Sequence, residues 1–260
     1  MATYLDKIVA HHRDRAAADK RNLDDLIVAA RAMPAARGFR ARLQAESVDR
    51  LAVIAEIKRR SPSKGDLNPG LDPAVMADVY ERCGATAMSV LTDAPHFGGS
   101  VDDLQVARGA CGLPVIRKDF TVDARDVCDA RLMGADCVLL IAAALSSDEV
   151  VDFHSVATSV GLDVLVEIHD EDELEVALAA GANLIGVNQR DLVTFAVDHD
   201  RAVRMAAQMP SGVVRVAESG VRGVDDARSL RDAGYHAVLV GESLVTSGDV
   251  CASLEALRVP

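Results

Sequence analysis

Between about residue 50 and the C-terminus, a short β-branched run followed by a stretch of helical period recurs eight times, and few folds accommodate that pattern. The runs are AVIAEIK (52–58), TAMSVLT (86–92), PVIRKDF (114–120), ADCVLLI (135–141), DVLVEIH (163–169), NLIGVNQ (183–189), VVRVAES (213–219) and HAVLVGE (236–242). The segments between them, such as DPAVMADVYERCGA and DEDELEVALAAGA, space apolar residues three and four apart and mostly close on a Gly-Ala or Ala-Gly pair. That is the signature of a helix, a glycine C-cap, a short loop and the next strand. A period of about 26 residues repeated eight times predicts a single (β/α)8 TIM barrel in the α/β class. An open doubly wound sheet is the weaker alternative, because no strand is followed by a GxGxxG turn.

Residues 1–48 stand outside the repeat and are expected to form an N-terminal helical extension, leaving 49–260 as the barrel. Thr3 with Asp6 reads as a capping box, and Asn22 before LDDLIVAARAM as a second helix start. Such an extension either plugs one end of the barrel or covers its mouth, and the plug is the preferred expectation.

Composition narrows the function. Half the residues are hydrophobic but only 3% are aromatic, with no Trp, so the core must be aliphatic. The longest apolar run, 137–145, falls well short of the roughly 20 residues that cross a bilayer. Charges in MATYLDKIVAHHRDR occupy the place of a signal peptide's apolar stretch, and the expected location is cytoplasmic, with no membrane partner. A formal charge of −12 opposes nucleic acid as a partner but leaves room for a local phosphate pocket. Five widely spaced cysteines without a CxxC predict neither a disulfide framework nor a zinc site, and read as core residues or surface thiols. No seam for a stable assembly is legible, so a monomer or weak homo-oligomer is expected.

Strands of a parallel barrel are buried on both faces and should be nearly continuous apolar runs. The polar exceptions are therefore informative. Glu56 and Lys58 lie two apart on one face of the first strand. Lys118, Glu167, Asn188 and Glu218 stand at the C-terminal ends of the third, fifth, sixth and seventh runs, the end where barrel enzymes build active sites. Charges there need partners or a ligand, and the set suits general acid–base chemistry on a small molecule. His169, just beyond Glu167, reads as structural. AESGV (217–221) and VGESL (240–244) place Ser219, Gly220, Gly241 and Ser243 directly after the seventh and eighth strands, where barrels bind phosphate through backbone N–H groups. SPSKG (61–65) reads equally as a flexible turn or as a loop that brings Ser61 and Lys64 to a substrate.

The segments IAEIKRRSPSKG (54–65), PVIRKDF, LVEIHDEDEL (165–174), IGVNQRDL (185–192), VAESGV (216–221) and VLVGESLV (238–245) together strongly resemble the indole-3-glycerol phosphate synthase family, from about residue 3 to 255. The resemblance implies a decarboxylating ring closure of 1-(2-carboxyphenylamino)-1-deoxyribulose 5-phosphate, with no metal or organic cofactor. It implies Lys118 as general acid toward the ribulose carbonyl oxygen and Glu167 as base in the dehydration. Lys58 would hold the substrate carboxylate or also share in proton transfer, Glu56 orient the lysines, and Asn188 and Glu218 meet the ribulose hydroxyls or position charge. Arg190 falls near the carboxylate side, Ser61 near the phosphate site, and Phe97 and Phe120 offer an apolar wall for the aromatic ring. The chain departs from the family pattern at His96, Gly98 and Gln189. Two other functions fit less well. A phosphoribosylanthranilate isomerase-like enzyme would need a Cys and an Asp where Glu56-Ile57-Lys58 stands, and a non-catalytic phosphometabolite-binding barrel would not need Glu56, Lys118 and Glu167.

Overall fold

Each of the eight β-branched runs becomes a strand. In the computed structural model, which describes residues 3–191 and 193–260, they are β1 (Ala52–Ile57), β2 (Ala87–Leu91), β3 (Val115–Lys118), β4 (Cys137–Ile141), β5 (Asp163–Ile168), β6 (Leu184–Asn188), β7 (Val214–Glu218) and β8 (Ala237–Val240). All pair in parallel with their neighbours in chain order, and β1 pairs with β8 through Ala52↔Ala237 to Ala55↔Val240, closing the barrel. The (β/α)8 expectation is met.

Thirteen α-helices accompany them among the described residues. In the outer ring, α4 (Pro73–Arg82) follows β1, α6 (Val101–Ala110) β2, α7 (Ala124–Leu132) β3, α8 (Ser147–Ser159) β4, α9 (Glu171–Ala179) β5, α10 (Arg201–Ala206) β6, α11 (Val224–Asp232) β7 and α13 (Val250–Leu257) β8. Asp72, Ser100, Asp123, Ser146, Asp170 and Asp249 cap N-termini by accepting first-turn N–H groups. Gly134 and Gly181, with φ of 96° and 80°, turn the chain out of α7 and α9 toward the next strand, the left-handed geometry that the recurrent Gly-Ala pairs signalled. Two short helices, α5 (Ala94–Phe97) and α12 (Glu242–Val245), sit in the loops after β2 and β8, and a hairpin of Arg60–Ser61 with Gly65–Asp66 follows β1.

The three N-terminal helices divide the two roles that the sequence left as alternatives. In α3 (Phe39–Glu46), Phe39 and Leu43 are fully buried against Ala52, Ile54, Ile116, Cys137 and Val214 inside the barrel. Asp136 and Asp163, at the starts of β4 and β5, accept from the backbone N–H groups of Arg37 and Arg40 and hold this plug in the N-terminal end. α1 (Tyr4–Ala18), with its Thr3–Asp6 capping box, instead lies over the opposite end and turns Tyr4, Leu5 and Ile8 toward the mouth. α2 (Leu23–Arg31), capped by Asn22, packs against α7.

The sequence reading of the cysteines needs one correction. Cys83, the C-cap of α4, and Cys251, in the first turn of α13, form a disulfide across 168 residues, with Cα atoms 4.8 Å apart. The ring of helices brings the last one beside the first, a closure that cysteine spacing does not encode. Cys128 and Cys137 are buried and Cys111 half-buried, in line with the core reading. Among the described residues no helix is long and apolar enough to cross a membrane.

Candidate active site

The polar exceptions in the strands converge on one cavity of about 610 Å³ at the C-terminal end of the barrel. Glu56, on β1, is 3% exposed; its Oε1 accepts from Lys58 Nζ at 2.5 Å and its Oε2 from Ser89 Oγ at 3.1 Å. Across the cavity Lys118 Nζ donates to Glu167 Oε2 at 2.8 Å and to Glu218 Oε2 at 3.0 Å. Asn188 Nδ2 donates to Glu167 Oε1 at 2.9 Å, and Asn188 Oδ1 accepts from the Arg190 backbone N–H at 3.0 Å. Three carboxylates and two ammoniums therefore form two adjoining networks around a water-accessible space.

Strand packing holds these groups in place. Gly186 stands opposite Glu167 in the β5–β6 ladder, and a Cβ on it would lie 2.0 Å from Glu218 Oε1. Only a glycine there leaves room for that carboxyl. A Cβ on Gly241 would come within 2.6 Å of Glu56 Oε1. Both glycines are spaces shaped for a carboxylate.

Burial and mutual charge set the protonation states. Burial alone would push the Lys118 ammonium down, but Glu167, Glu218 and Glu56 reverse this and hold it well above the usual lysine range. Glu167 is likewise penalised by burial, yet Lys118, His169 and the Asn188 hydrogen bond keep it below the ordinary carboxylate range. Glu218 goes the other way: burial raises it, Lys118 opposes, and the neighbouring Glu167 and Glu56 charges add to the rise, taking it to about 7. Two carboxylates sharing one ammonium cannot both ionise cheaply, and Glu218 carries the proton for longer. Its Oε1, buried and without a hydrogen-bond partner in the protein, is left facing Gly186.

The Gly-Ser loops border the same space. Ser219 and Gly220 have φ of 65° and 75°, a left-handed pair that turns the chain after β7. Gln189 Nε2 fixes the loop by donating to the Ser219 carbonyl at 2.8 Å, so the Gln that departs from the family pattern is a buried brace. Gly241 caps α12, and Ser243 lies in its first turn. Successive backbone N–H groups of this kind form a concave anion site.

Phe97 and Phe120 line the same cavity, ring centroids 6.3 Å apart, as do Ser61 and Arg190. The cavity thus gathers Glu56, Lys58, Ser61, Phe97, Lys118, Phe120, Glu167, Asn188, Arg190, Glu218, Ser219, Gly220, Gly241 and Ser243. Lys64 also lines it and reaches Glu242 at 3.5 Å. His169 does not line it; it bonds Glu173 at 3.1 Å and stands 4.0 Å behind Glu167. Sequence reading missed Ser89, a polar residue inside a strand that the rule used for Glu56 would have found. It also missed Tyr4, Phe195 and His199, which line the cavity from segments without strand or barrel-helix period. At the other departures from the family pattern, Gly98 takes φ of 66° at the end of α5 and His96 turns back onto Asp93.

Solved structures share the architecture. A thiamine phosphate pyrophosphorylase from Pyrococcus furiosus superposes with a TM-score of 0.59 at 18% identity, over 80% of this chain and 93% of that one, a likeness of fold alone. Sequence relatives are far closer. An "Indole-3-glycerol phosphate synthase 2" from Streptomyces coelicolor is 48% identical over 245 residues, covering 94% of this chain and 93% of its own. An indole-3-glycerol phosphate synthase from Leptothrix cholodnii is 46% identical over 260 residues, 99% of each chain. The indole-3-glycerol phosphate synthase family model matches residues 5–257, plug, cover and barrel together. With near-complete coverage on both sides, the chain belongs to the indole-3-glycerol phosphate synthase family, the decarboxylating lyases of tryptophan biosynthesis.

Proposed function

We propose that the cavity closes the ring of 1-(2-carboxyphenylamino)-1-deoxyribulose 5-phosphate with Lys118 as the general acid. The observation that carries this is the Lys118 ammonium, fixed by Glu167 and Glu218 in the cavity that the Phe97–Phe120 pair and the Gly-Ser loops also line. The phosphate sits on Ser219, Gly220, Gly241 and Ser243, with Ser61 nearby, and the aromatic ring lies against Phe97 and Phe120. The ribulose carbonyl is then held between them, where proximity supplies much of the rate.

The ring carbon that bears the carboxylate attacks the carbonyl carbon, and Lys118 gives its proton to the carbonyl oxygen as the charge develops. The new bond forms, the carbonyl π pair becomes a hydroxyl, and loss of carbon dioxide returns the ring to aromaticity. Lys58, with Arg190 on the same side, holds the carboxylate until it leaves. Lys58 is then free to protonate the departing hydroxyl, while Glu167 takes the proton from the neighbouring carbon. Water leaves and the pyrrole double bond forms. Glu56 orients Lys58, and Asn188 and Glu218 hold the ribulose hydroxyls.

Residues 1–48 serve this chemistry as an extension, plugging one end of residues 49–260 and covering the other. We further propose a cytoplasmic enzyme that acts as a monomer or weak homo-oligomer. The exposed valines of the described residues, Val28, Val75, Val106 and Val151 among them, are scattered along the chain. Sedimentation measures the oligomeric state directly. Purified protein supplied with the carboxyphenylamino-deoxyribulose phosphate should develop indole fluorescence, free of background because the chain has no Trp. Folded protein without turnover would overturn the assignment.

A further inference from the structure

Three of the seven histidines meet at the seam between α1 and the segment after β2, beside the catalytic networks but outside them. His12, buried on α1, and His96, on α5, aim ring nitrogens at a single oxygen: His12 Nε2 lies 2.9 Å and His96 Nδ1 3.0 Å from Asp93 Oδ2. We propose that His12, Asp93 and His96 form a site for a divalent metal ion of the zinc class, which ties the helix over the mouth to the barrel.

Two imidazoles and a carboxylate are the donor set such an ion takes, with a fourth position for water from the cavity. One ring nitrogen of each histidine and one oxygen of Asp93 lie within 4.8 Å of one another; bonds of about 2.0–2.2 Å to a shared tetrahedral centre would set them about 3.3–3.6 Å apart, a spacing that small side-chain shifts reach. The carboxylate is already oriented as a ligand would be. Its Oδ1 accepts from the backbone N–H groups of His96 at 2.7 Å and Phe97 at 3.2 Å and stands 3.2 Å from His96 Nδ1, while Oδ2 is the oxygen nearer to both rings. Charge favours a cation. Asp93 is 2% exposed and meets no Lys or Arg among the ion pairs of the described residues, while the nearby Arg117 is committed to Asp119 at 2.8 Å. A second carboxylate oxygen, Asp119 Oδ1, stands 3.8 Å from His12 Nε2. Phe120 lies against the His12 ring at 5.4 Å and Tyr4 meets His96 edge-on at 6.2 Å, an apolar surround that strengthens a charged centre.

One feature limits the affinity. His12 Nδ1 is buried without a hydrogen-bond partner, whereas a metal-bound imidazole ordinarily hands its second N–H to an acceptor. Loss of such a partner weakens binding roughly 10–100-fold, so the site is expected to hold the ion that much less tightly than one whose second ring nitrogens are both hydrogen-bonded.

The test is titration of the metal-stripped full-length chain with Co²⁺, followed by visible absorption, and displacement by Zn²⁺. One equivalent should give the intense bands of a four-coordinate site. His12→Gln and His96→Gln should each weaken binding at least tenfold with an unchanged circular dichroism spectrum, and His11→Gln, on the exposed side of the helix, should keep it. Absence of a stoichiometric site in the wild type overturns the proposal, as does binding that persists in the His12→Gln/His96→Gln double variant. The readout needs no turnover, so it is independent of the assigned catalytic roles.

Discussion

Lys118 is pinned by two carboxylates of opposite character, and that asymmetry makes its role testable. Lys118→Ala removes the proton donor and Glu167→Gln the base. Each should lower kcat by at least roughly 10–100-fold with the fold intact, the scale of general acid–base catalysis; wild-type rates in both would show that the roles belong to other residues. Glu218, raised to about 7, should show a protonated carboxyl band by infrared difference spectroscopy that titrates near neutrality and is missing from Glu218→Gln. The same shift has a sign in stability. Unfolded, the group ionises near its ordinary 4.5; folded, it holds the proton to about 7. It therefore costs nothing well below 4.5, and its destabilising effect grows between those values and is constant above them. The urea midpoint of the wild type should fall relative to Glu218→Gln across that window. Gly186→Ala, by filling the space of Glu218 Oε1, should impair turnover much as a Glu218 variant does. Glu56, Lys118, Glu167, Asn188 and Glu218 were legible because a buried strand tolerates little polarity. Phe195 and His199 were not, because an irregular loop carries no period against which a residue stands out.

At the scale of elements, strand and helix alternation was readable because most βα units repeat the same instructions: β-branched run, Asp or Ser cap, apolar stripe, glycine exit. The extension has no such repetition. The capping signals at Thr3 and Asn22 located the starts of α1 and α2, but α3 starts at Gly38 with no side-chain cap, and nothing in FRARLQAE marks Phe39 and Leu43 as a plug. What they do depends on the hole they fill. Both are fully buried among the inward-facing residues of the barrel, so Phe39→Ala should cost about 3–5 kcal/mol and Leu43→Ala about 2–5 kcal/mol, measured by urea denaturation. Losses under 1 kcal/mol would mean that the barrel floor repacks without them.

The closed ring of helices has a seam, and the disulfide crosses it. Cys83 at the end of α4 and Cys251 on α13 join the first outer helix to the last, and a link over 168 residues closes the longest loop that any two of the five cysteines could close. In the chain-entropy account that is worth about 5 kcal/mol, less any strain in the native state. Such bonds persist in oxidising surroundings and are rare in a reducing cytoplasm, so the location proposed for this enzyme and the cross-link pull in opposite directions. The state of the pair is measurable in one experiment. Alkylation of the unfolded, unreduced protein should leave two of its five cysteines protected, and peptide mapping should identify them as Cys83 and Cys251. Reduction should then lower the denaturation midpoint of the wild type but leave that of a Cys83→Ser/Cys251→Ser variant unmoved. Five reactive thiols in freshly quenched cells, with two protected after oxidation in vitro, would locate the bond outside the enzyme's working state, and the closed β1–β8 ladder would then hold the seam without it.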